Sequence, residues 1–203
     1  YENFNAAQAE VTVHGRSIHP GTAKNKMINA SLVAMQFHAM LPIELNPAYT
    51  EGYEGFNHLT HMGGECEKAT LTYIIRNHDD AKFLAQKEQF LAIRDYLNGR
   101  YGEGTIELTI TDQYRNMRAY IEKDMYVVEL ARKAIAAAGL TPKSVPVRGG
   151  TDGAELTYKG LPCPNFGTGS YNHHGKYEFA SIAEMRTMVK IIRNVLSLAK
   201  GAK

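Results

Sequence analysis

The order of hydrophobic patterns in the first half of the chain constrains the fold more than any other feature. Alternating apolar and polar residues predict strands, and apolar residues at three- and four-residue spacing predict helices. Along residues 9–111 these patterns follow one another as strand, helix, strand, strand, helix and strand. This order is typical of a split βαβ layer, so we predict an α+β, ferredoxin-like domain (βαββαβ) with two helices on a four-stranded sheet.

The predicted elements of this domain have recognisable boundaries. The strands are expected at 9–16, 55–61, 69–76 and 106–111, with Gly63-Gly64 as a turn or bulge signal before the third. Pro42 ends the first helix and Asp79 caps the second, since its carboxylate can accept from free amides of the first turn. The predicted core stripes are Ile28, Leu32, Met35 and Ala39 in the first helix, and Phe83, Leu84, Phe90, Leu91 and Leu97 in the second.

The second half has a different pattern, in which helices alternate with short strands. A helix over 124–138, a strand at 144–147, a short helix, a strand near 164–166 and a long final helix predict a parallel α/β layer. The final helix carries a wide apolar stripe of Met185, Met188, Val189, Ile192, Val195, Leu196 and Ala199. Two strands cannot cover that much helix, so we expect an incomplete α/β segment that seeks cover by self-association. The predicted domains are 8–114 and 115–203, with 1–7 as a linker from a missing amino-terminal part.

Composition limits the classes of partner. The 203 residues are 44% hydrophobic and carry a formal net charge of +2 from interspersed acidic and basic residues. This balance argues against nucleic acid or an anionic membrane as a partner, and no apolar run approaches a membrane span. The two cysteines, Cys66 and Cys163, show no metal-binding spacing and are expected to be reduced. We expect a cytoplasmic protein.

His174 is a candidate metal ligand. It lies in Ser170-Tyr171-Asn172-His173-His174-Gly175-Lys176-Tyr177-Glu178, and imidazole suits zinc and related ions. His173 and Glu178 could add ligands, although adjacent residues on an extended chain point to opposite faces and cannot readily hold one ion. A lone loop histidine is more often exposed or only hydrogen-bonded, because a metal site needs three or four ligands.

Arg148 opens the glycine-rich segment Arg148-Gly149-Gly150-Thr151-Asp152-Gly153-Ala154. The glycines allow backbone to approach a ligand, and an arginine fork suits a carboxylate. The alternative is a strand-to-helix turn in which the glycines serve geometry and Asp152 caps the helix.

Two further residues could bind charged groups. His19, in the segment His19-Pro20-Gly21-Thr22-Ala23-Lys24, could donate to a developing oxyanion or be a turn residue only. Arg76, at a strand end, could bind an anion or pair with Asp79 or Asp80 on the surface.

Seven segments together resemble the peptidase T family of tripeptide aminopeptidases, within the di-zinc aminoacylase/carboxypeptidase superfamily. The resemblance covers essentially the whole chain and the second half of the family's enzymes. The matching segments are Asn3-Phe4-Asn5-Ala6-Ala7, His19 to Lys24, Glu51-Gly52-Tyr53-Glu54-Gly55-Phe56, Tyr73-Ile74-Ile75-Arg76, Arg148 to Ala154, Gly160-Leu161-Pro162-Cys163-Pro164-Asn165 and His174-Gly175-Lys176.

The resemblance implies a catalytic α/β domain interrupted by a ferredoxin-like lid through which two subunits dimerise. It implies two zinc ions that polarise a peptide carbonyl, with a glutamate as general base. By position, His174 would be the carboxy-terminal zinc ligand and His19 the lid histidine that supports the oxyanion in the other subunit. Arg148 would orient the oxygens of a small peptide substrate, with Arg76 assisting.

The other family ligands and the general base lie upstream of the segment that begins here at Glu2. We therefore expect a fragment of a zinc-dependent tripeptide aminopeptidase that is inactive alone. The alternative is a stand-alone dimerisation or peptide-binding module without catalysis.

Overall fold

The computed structural model describes residues 1–201, which form two compact units. The unit called here the sheet unit comprises Phe4–Arg115 together with Arg148–Gly150. The helix unit comprises Tyr1–Asn3, Asn116–Val147 and the chain from Thr151 onward. None of the helices in residues 1–201 is both long and apolar enough to cross a membrane.

A four-stranded antiparallel sheet and two long helices form the sheet unit. The elements in chain order are β1 (Asn5–His14), a 3-10 turn (Pro20–Thr22), α1 (Ala30–Ala39), β2 (Phe56–Gly64), β3 (Lys68–Asn77), α2 (Asp80–Tyr101) and β4 (Ile106–Tyr114). The strand order is β2-β3-β1-β4, so β2 and β4 are the edges. The predicted order of strands and helices is confirmed, and Gly63-Gly64 lies inside β2 rather than in the turn after it.

Period-2 alternation sets the face that each strand buries. Along β1 and β3 the odd-numbered residues are buried, as Val11 and Leu71 are, and the even-numbered residues are wholly or partly exposed, apart from Ala6 at the start of β1. The buried face packs with α1 and α2 into one core around Phe37, Tyr73 and Phe90, whose rings contact one another at centroid distances of 5.1–6.4 Å.

Both long helices begin at side-chain caps. Asp79 Oδ1 accepts from the backbone N–H of Lys82 at 2.8 Å, which confirms the predicted cap of α2. Asn29 Oδ1 accepts in the same way from the N–H of Leu32 at 3.3 Å. These bonds satisfy amides that a helix cannot pair internally.

The predicted core stripe of α1 is wrong for Leu32, Met35 and Ala39, whereas Ile28, just before the helix, packs partly buried against the core. Leu32 is 61% exposed and Met35 is 56% exposed, whereas Ala30, Val33, Ala34 and Phe37 are buried. The helix is apolar on two sides, and the sheet covers only one of them. In α2 the prediction is correct for Phe83, Phe90 and Leu97, but Leu84 and Leu91 are exposed and Ile93 is buried.

The helix unit contains α3 (Arg118–Ile121), α4 (Tyr126–Ala137), α5 (Asp152–Tyr158), the two-residue strands β5 (Ser170–Tyr171) and β6 (Phe179–Ala180), and α6 (Ile182–Lys200). The strands predicted at 144–147 and 164–166 are not formed. Val147 makes one parallel bridge to Asn3, and the rest of both segments has no regular structure.

The predicted stripe of α6 is largely uncovered. Ile191 is buried against α4, and Asn194 donates to the carbonyl of Ala134 at 3.0 Å. Val189 is 58% exposed and Leu196 is 60% exposed, and Met185 and Ile192 are also exposed. A strand needs a neighbour to pair with, and within residues 1–201 the helix unit supplies only the short β5–β6 hairpin.

Candidate functional site

The predicted metal ligand, His174, lies at the tip of the β5–β6 hairpin. Ser170 pairs with Ala180 and Tyr171 with Phe179, and the residues between them form the turn. His174 is exposed and adopts a left-handed backbone conformation with φ of 63°. Non-glycine residues rarely adopt this conformation, which is enriched where the fold constrains a residue for function.

The polar side chains around His174 are engaged within the hairpin. His173 Nε2 lies 2.7 Å from Ser170 Oγ, and Asn172 Nδ2 donates to the carbonyl of Tyr177 at 3.2 Å. The His174 ring makes no hydrogen bond or ion pair with any residue in the described range 1–201. Of the two adjacent histidines, His174 is therefore the one available to a ligand.

The described residues do not form a complete metal site. No group of three or more His, Cys, Asp or Glu side chains within residues 1–201 is placed to hold an ion. A catalytic zinc ion takes three protein ligands and a water molecule, so the single imidazole of His174 is insufficient.

The second predicted residue, His19, caps the 3-10 turn of the sheet unit. Its Nδ1 accepts from the backbone N–H of Gly21 at 3.1 Å, and the ring is exposed. Because Nδ1 is the acceptor, a neutral ring carries its proton on Nε2. His19 therefore presents an N–H donor to the solvent, as a group that supports an oxyanion must.

Arg148 is bound to a loop of the sheet unit. One terminal nitrogen donates to the carbonyls of Gly52 and Glu54 at 3.0 and 2.7 Å, and the other donates to the carbonyl and hydroxyl of Thr50 at 3.2 and 3.0 Å. The guanidinium carbon lies 5.1 Å from the ring centroid of Phe4 and 5.8 Å from that of Phe56. These bonds use all four hydrogens of the two terminal nitrogens. Arg148 can therefore bind a carboxylate through both terminal nitrogens only after it releases this loop.

Two glycines of these motifs allow the backbone to pass close to other groups of the sheet unit. A Cβ at Gly55 would clash with Asn77 and with the carbonyl of Arg76, and one at Gly150 would clash with the ring of Tyr114. Gly55 and Gly150 therefore serve close packing in this conformation.

Arg76 lies partly buried on the opposite face of the sheet from α1 and α2. It donates to the carbonyls of Ala7 and Ile75 at 3.1 and 3.0 Å and to Gln113 Oε1 at 3.1 Å. The surface pairing with Asp79 or Asp80 is not formed. Burial lowers the pKa of Arg76 from its ordinary value, an effect opposed by the nearby Tyr114.

The structure brings some of these residues together and separates others. Arg76 pairs in register with Phe56, whose ring contacts Arg148. His19 follows the end of β1, whereas Arg76 pairs with Ala6 at its beginning, so the histidine and the arginines lie near opposite ends of that strand. His174 belongs to the other unit.

Two residues that hold the hairpin were missed by the sequence analysis. The Tyr171 hydroxyl donates to the carboxylate of Glu184, with both oxygens at 3.0 Å. The only sequence signal is the Ser181-x-x-Glu184 pattern, which is typical of a helix start and does not point to Tyr171.

Comparisons with known proteins identify the family. The model of the peptidase dimerisation domain matches residues 1–105. Peptidase T of Alkaliphilus oremlandii is 52% identical over 198 residues, and peptidase T of Aeromonas salmonicida is 51% identical over 197 residues. These alignments cover 98% and 95% of this chain but 48% of each relative. The chain thus spans about half the length of the curated relatives it matches.

Solved structures agree on the fold. A tripeptidase from Staphylococcus aureus superposes with a TM-score of 0.82 at 18% identity, covering 97% of this chain and 52% of that one. Aminopeptidase PepT from Bacillus cereus gives 0.74 at 20% identity, covering 96% and 53%. The resemblance found in the sequence motifs is confirmed: the chain belongs to the peptidase dimerisation domain family and is homologous to about half of peptidase T.

Proposed function

We propose that the chain is the carboxy-terminal part of a cytoplasmic, zinc-dependent tripeptide aminopeptidase that releases the amino-terminal residue of tripeptides. The observation that carries this proposal is the identity of about 50% with peptidase T along nearly the whole chain. The exposed, conformationally constrained His174 supports it, because an unengaged imidazole is a suitable ligand for zinc. Zinc would polarise the scissile carbonyl of the peptide.

The residues of this chain would have separate tasks. His174 would supply one metal ligand, and the remaining ligands and the general base would come from residues outside this chain. His19 would donate its Nε2–H to the oxyanion, in the other subunit of a dimer. Arg148 and Arg76 would bind substrate oxygens, and for Arg148 this requires release of the Thr50–Glu54 loop.

A hydrolysis assay tests the proposal. The purified 203-residue chain should not cleave a tripeptide such as trialanine in the presence of added zinc, because one imidazole does not hold a catalytic ion. The same chain within a polypeptide of the relatives' length should cleave it. Turnover by the short chain would show that the ligand assignment is wrong.

A substitution at the proposed ligand sharpens this test. In the longer polypeptide, His174→Ala should lower kcat/KM by about 10²-fold or more, since ligand loss removes the metal's contribution. His14→Ala is the matched control, because His14, at the end of β1, is also exposed but its Nε2 lies 3.1 Å from the carboxylate of Glu107 on β4. Equal activity of both variants would contradict the assigned role of His174.

The partner is a second copy of the chain, bound through the ferredoxin-like lid formed by the sheet unit. We infer that the contact uses α1 and the edge strand β2. The exposed Leu32 and Met35 face away from the core, and Phe56–Gly64 contains no Asp, Glu, Lys or Arg to oppose pairing with another strand. The other edge, β4, carries Glu107 and Asp112, and charged residues on an edge strand oppose pairing with another strand.

Charged substitutions test this surface. Met35→Asp should convert a dimer into a monomer in sedimentation analysis, because an unpaired carboxylate would be buried in the contact. Leu84→Asp is the matched control, since Leu84 is similarly exposed but lies on α2. Dissociation by Leu84→Asp and not by Met35→Asp would show that the contact uses α2 and not α1.

The second candidate is a stand-alone dimerisation or peptide-binding module. The sheet unit favours it, since its core is complete without any residue of the helix unit. A natural reading frame that begins near Tyr1, with no upstream ligand cluster, would favour this module over the peptidase.

A further inference from the structure

The hairpin that carries His174 is joined to the start of α6 by more than its own two-residue ladder. Tyr171 donates to both carboxylate oxygens of Glu184, and its ring stacks on Phe179 with centroids 5.1 Å apart. The backbone N–H of Ser181 donates to the carbonyl of Gly169 at 2.9 Å. A two-residue ladder is marginal by itself, so these contacts decide whether the hairpin has one conformation.

Glu184 is diverted from the role that its position usually has. In a Ser-x-x-Glu capping box, the glutamate side chain accepts from the backbone N–H of the capping serine. Here Ser181 Oγ accepts from the N–H of Glu184 at 3.4 Å, which is the usual first half of the motif. The N–H of Ser181 is instead satisfied by Gly169, so the Glu184 carboxylate is available to Tyr171.

Gly169 makes this approach possible. Its φ of 73° lies in the left-handed region, and a Cβ there would clash with the Glu184 side chain. The interaction with Glu184 also raises the pKa of the Tyr171 hydroxyl, through the hydrogen bond and the negative charge.

We propose that Tyr171 and Glu184 are positioning residues that fix the hairpin and thereby the direction in which His174 is presented. Ser170 and Asn172 tie the turn internally, and the Tyr171–Glu184 pair fixes the hairpin to α6. The imidazole of His174 is thus oriented through its backbone, because its ring makes no hydrogen bond or ion pair within residues 1–201. This inference rests on the proposed function, because it assigns the fixed direction to a ligand role.

Local dynamics of the 203-residue chain give the first test. Tyr171→Phe removes the hydroxyl but keeps the stack on Phe179, and Glu184→Ala removes the acceptor. Each should speed hydrogen exchange at the amides of Tyr171, Phe179 and Ser181 by roughly tenfold, because local opening becomes easier. Exchange in the sheet unit should not change, and the NMR signals of the His174 ring should move towards those of a free histidine.

Two comparisons separate positioning from general stability. Glu184→Gln keeps an oxygen acceptor and should retain most of the protection and the His174 ring signals. Tyr177→Phe is the matched control, since Tyr177 lies in the same turn and is exposed. If Tyr171→Phe and Glu184→Ala leave the hairpin amides and the His174 signals as in the unsubstituted chain, the proposal is overturned.

The longer polypeptide distinguishes this proposal from the one it rests on. Tyr171→Phe should lower kcat several-fold with little change in KM, with Tyr177→Phe unchanged. If the hairpin loosens as expected but His174→Ala retains full activity, the ligand role is wrong while the fixed hairpin stands. If His174→Ala abolishes activity and a loosened hairpin has no effect on kcat, the positioning role is wrong.

Discussion

The sheet unit buries a core between its sheet and helices, whereas the helix unit leaves most of the apolar stripe of α6 exposed. In the sheet unit, Phe37, Tyr73 and Phe90 have no exposed surface, and every strand has at least one neighbour in a single sheet. In the helix unit, α6 buries Ile191 and exposes most of its apolar stripe. A cleft of about 210 Å³ beside α4 is lined by apolar side chains such as Val145 and Phe166 together with polar ones such as Arg132 and Asn165.

The difference indicates which part of the chain is structurally self-sufficient. A helix with one buried face needs a sheet or another helix against that face. The sheet unit supplies both of its layers from its own sequence. Among the described residues 1–201 of the helix unit, α6 packs mainly against α4, which agrees with a chain that spans about half of its relatives.

The largest expected effect lies in the core of the sheet unit. Phe90→Ala should lower the free energy of unfolding by about 3–5 kcal/mol, because it removes a fully buried ring and leaves a cavity. Leu196→Ala in the helix unit should change it by less than about 0.5 kcal/mol, since that side chain is exposed. Urea denaturation measures both changes. Equal losses of free energy of unfolding would contradict the conclusion that the sheet unit has a buried core and the α6 stripe does not.

Arg148 should have the next largest effect, confined to one loop. Arg148→Ala should lower the local opening free energy of the Thr50–Glu54 loop by about 1–3 kcal/mol, because four carbonyl and hydroxyl acceptors lose their donor. Hydrogen exchange and limited proteolysis at this loop measure the change. Arg16→Ala, whose side chain donates to the carbonyl of Lys26 elsewhere in the sheet unit, is the control and should leave the loop protected.

Alkaline pH should destabilise the sheet unit through Tyr73. Burial raises the pKa of Tyr73 far above its ordinary value, so the folded state keeps a proton that the unfolded state releases above about pH 10. The free energy of unfolding should therefore be unaffected below that pH and then fall by about 1.4 kcal/mol per pH unit from this group.

The Tyr73→Phe variant should lack this part of the alkaline slope. Tyr96→Phe, at an exposed position on α2, should retain it. Urea midpoints between about pH 9 and 11 measure both variants. An identical slope in Tyr73→Phe and the unsubstituted chain would show that Tyr73 does not control the alkaline transition.

The smallest expected effect on stability is at the open stripe of α6. Val189→Lys should change the free energy of unfolding by less than about 0.5 kcal/mol, because Val189 is exposed. It should reduce self-association in light scattering, since an uncovered apolar stripe promotes contacts between copies. A chain that is strictly monomeric at high micromolar concentration, with or without the substitution, would show that the stripe does not mediate self-association in solution.

Prediction from the sequence succeeded where the signal is local. The alternation in β1 and β3 and the cap at Asp79 depend on neighbouring residues, and the structure confirms them. Prediction failed for α1, where Leu32 and Phe37 lie on different apolar sides and spacing alone does not show which side meets the sheet. It failed at 144–147 and 164–166 because a strand forms only where another strand pairs with it.

For the candidate site too, local features could be predicted from the sequence and long-range contacts could not. The residue types and the motifs of His174, His19 and Arg148 could be recognised in the sequence, together with the family. The engagement of Arg148 by Thr50, nearly 100 positions away, could not be recognised, because hydrogen bonds between distant segments leave no periodic pattern.

The sequence by itself determined the order and type of the elements in the sheet unit, the cap at Asp79, the family, and the choice of His174 as a possible ligand. The elements, the cap and the choice of His174 follow from side-chain chemistry and short-range spacing, whereas the family follows from the resemblance of seven sequence segments. Only the tertiary structure decided which helix faces are buried, that Arg148 is occupied by a loop, and that Tyr171 and Glu184 hold the hairpin of His174. Burial and long-range hydrogen bonds are properties of the packed chain, since they depend on which segments meet.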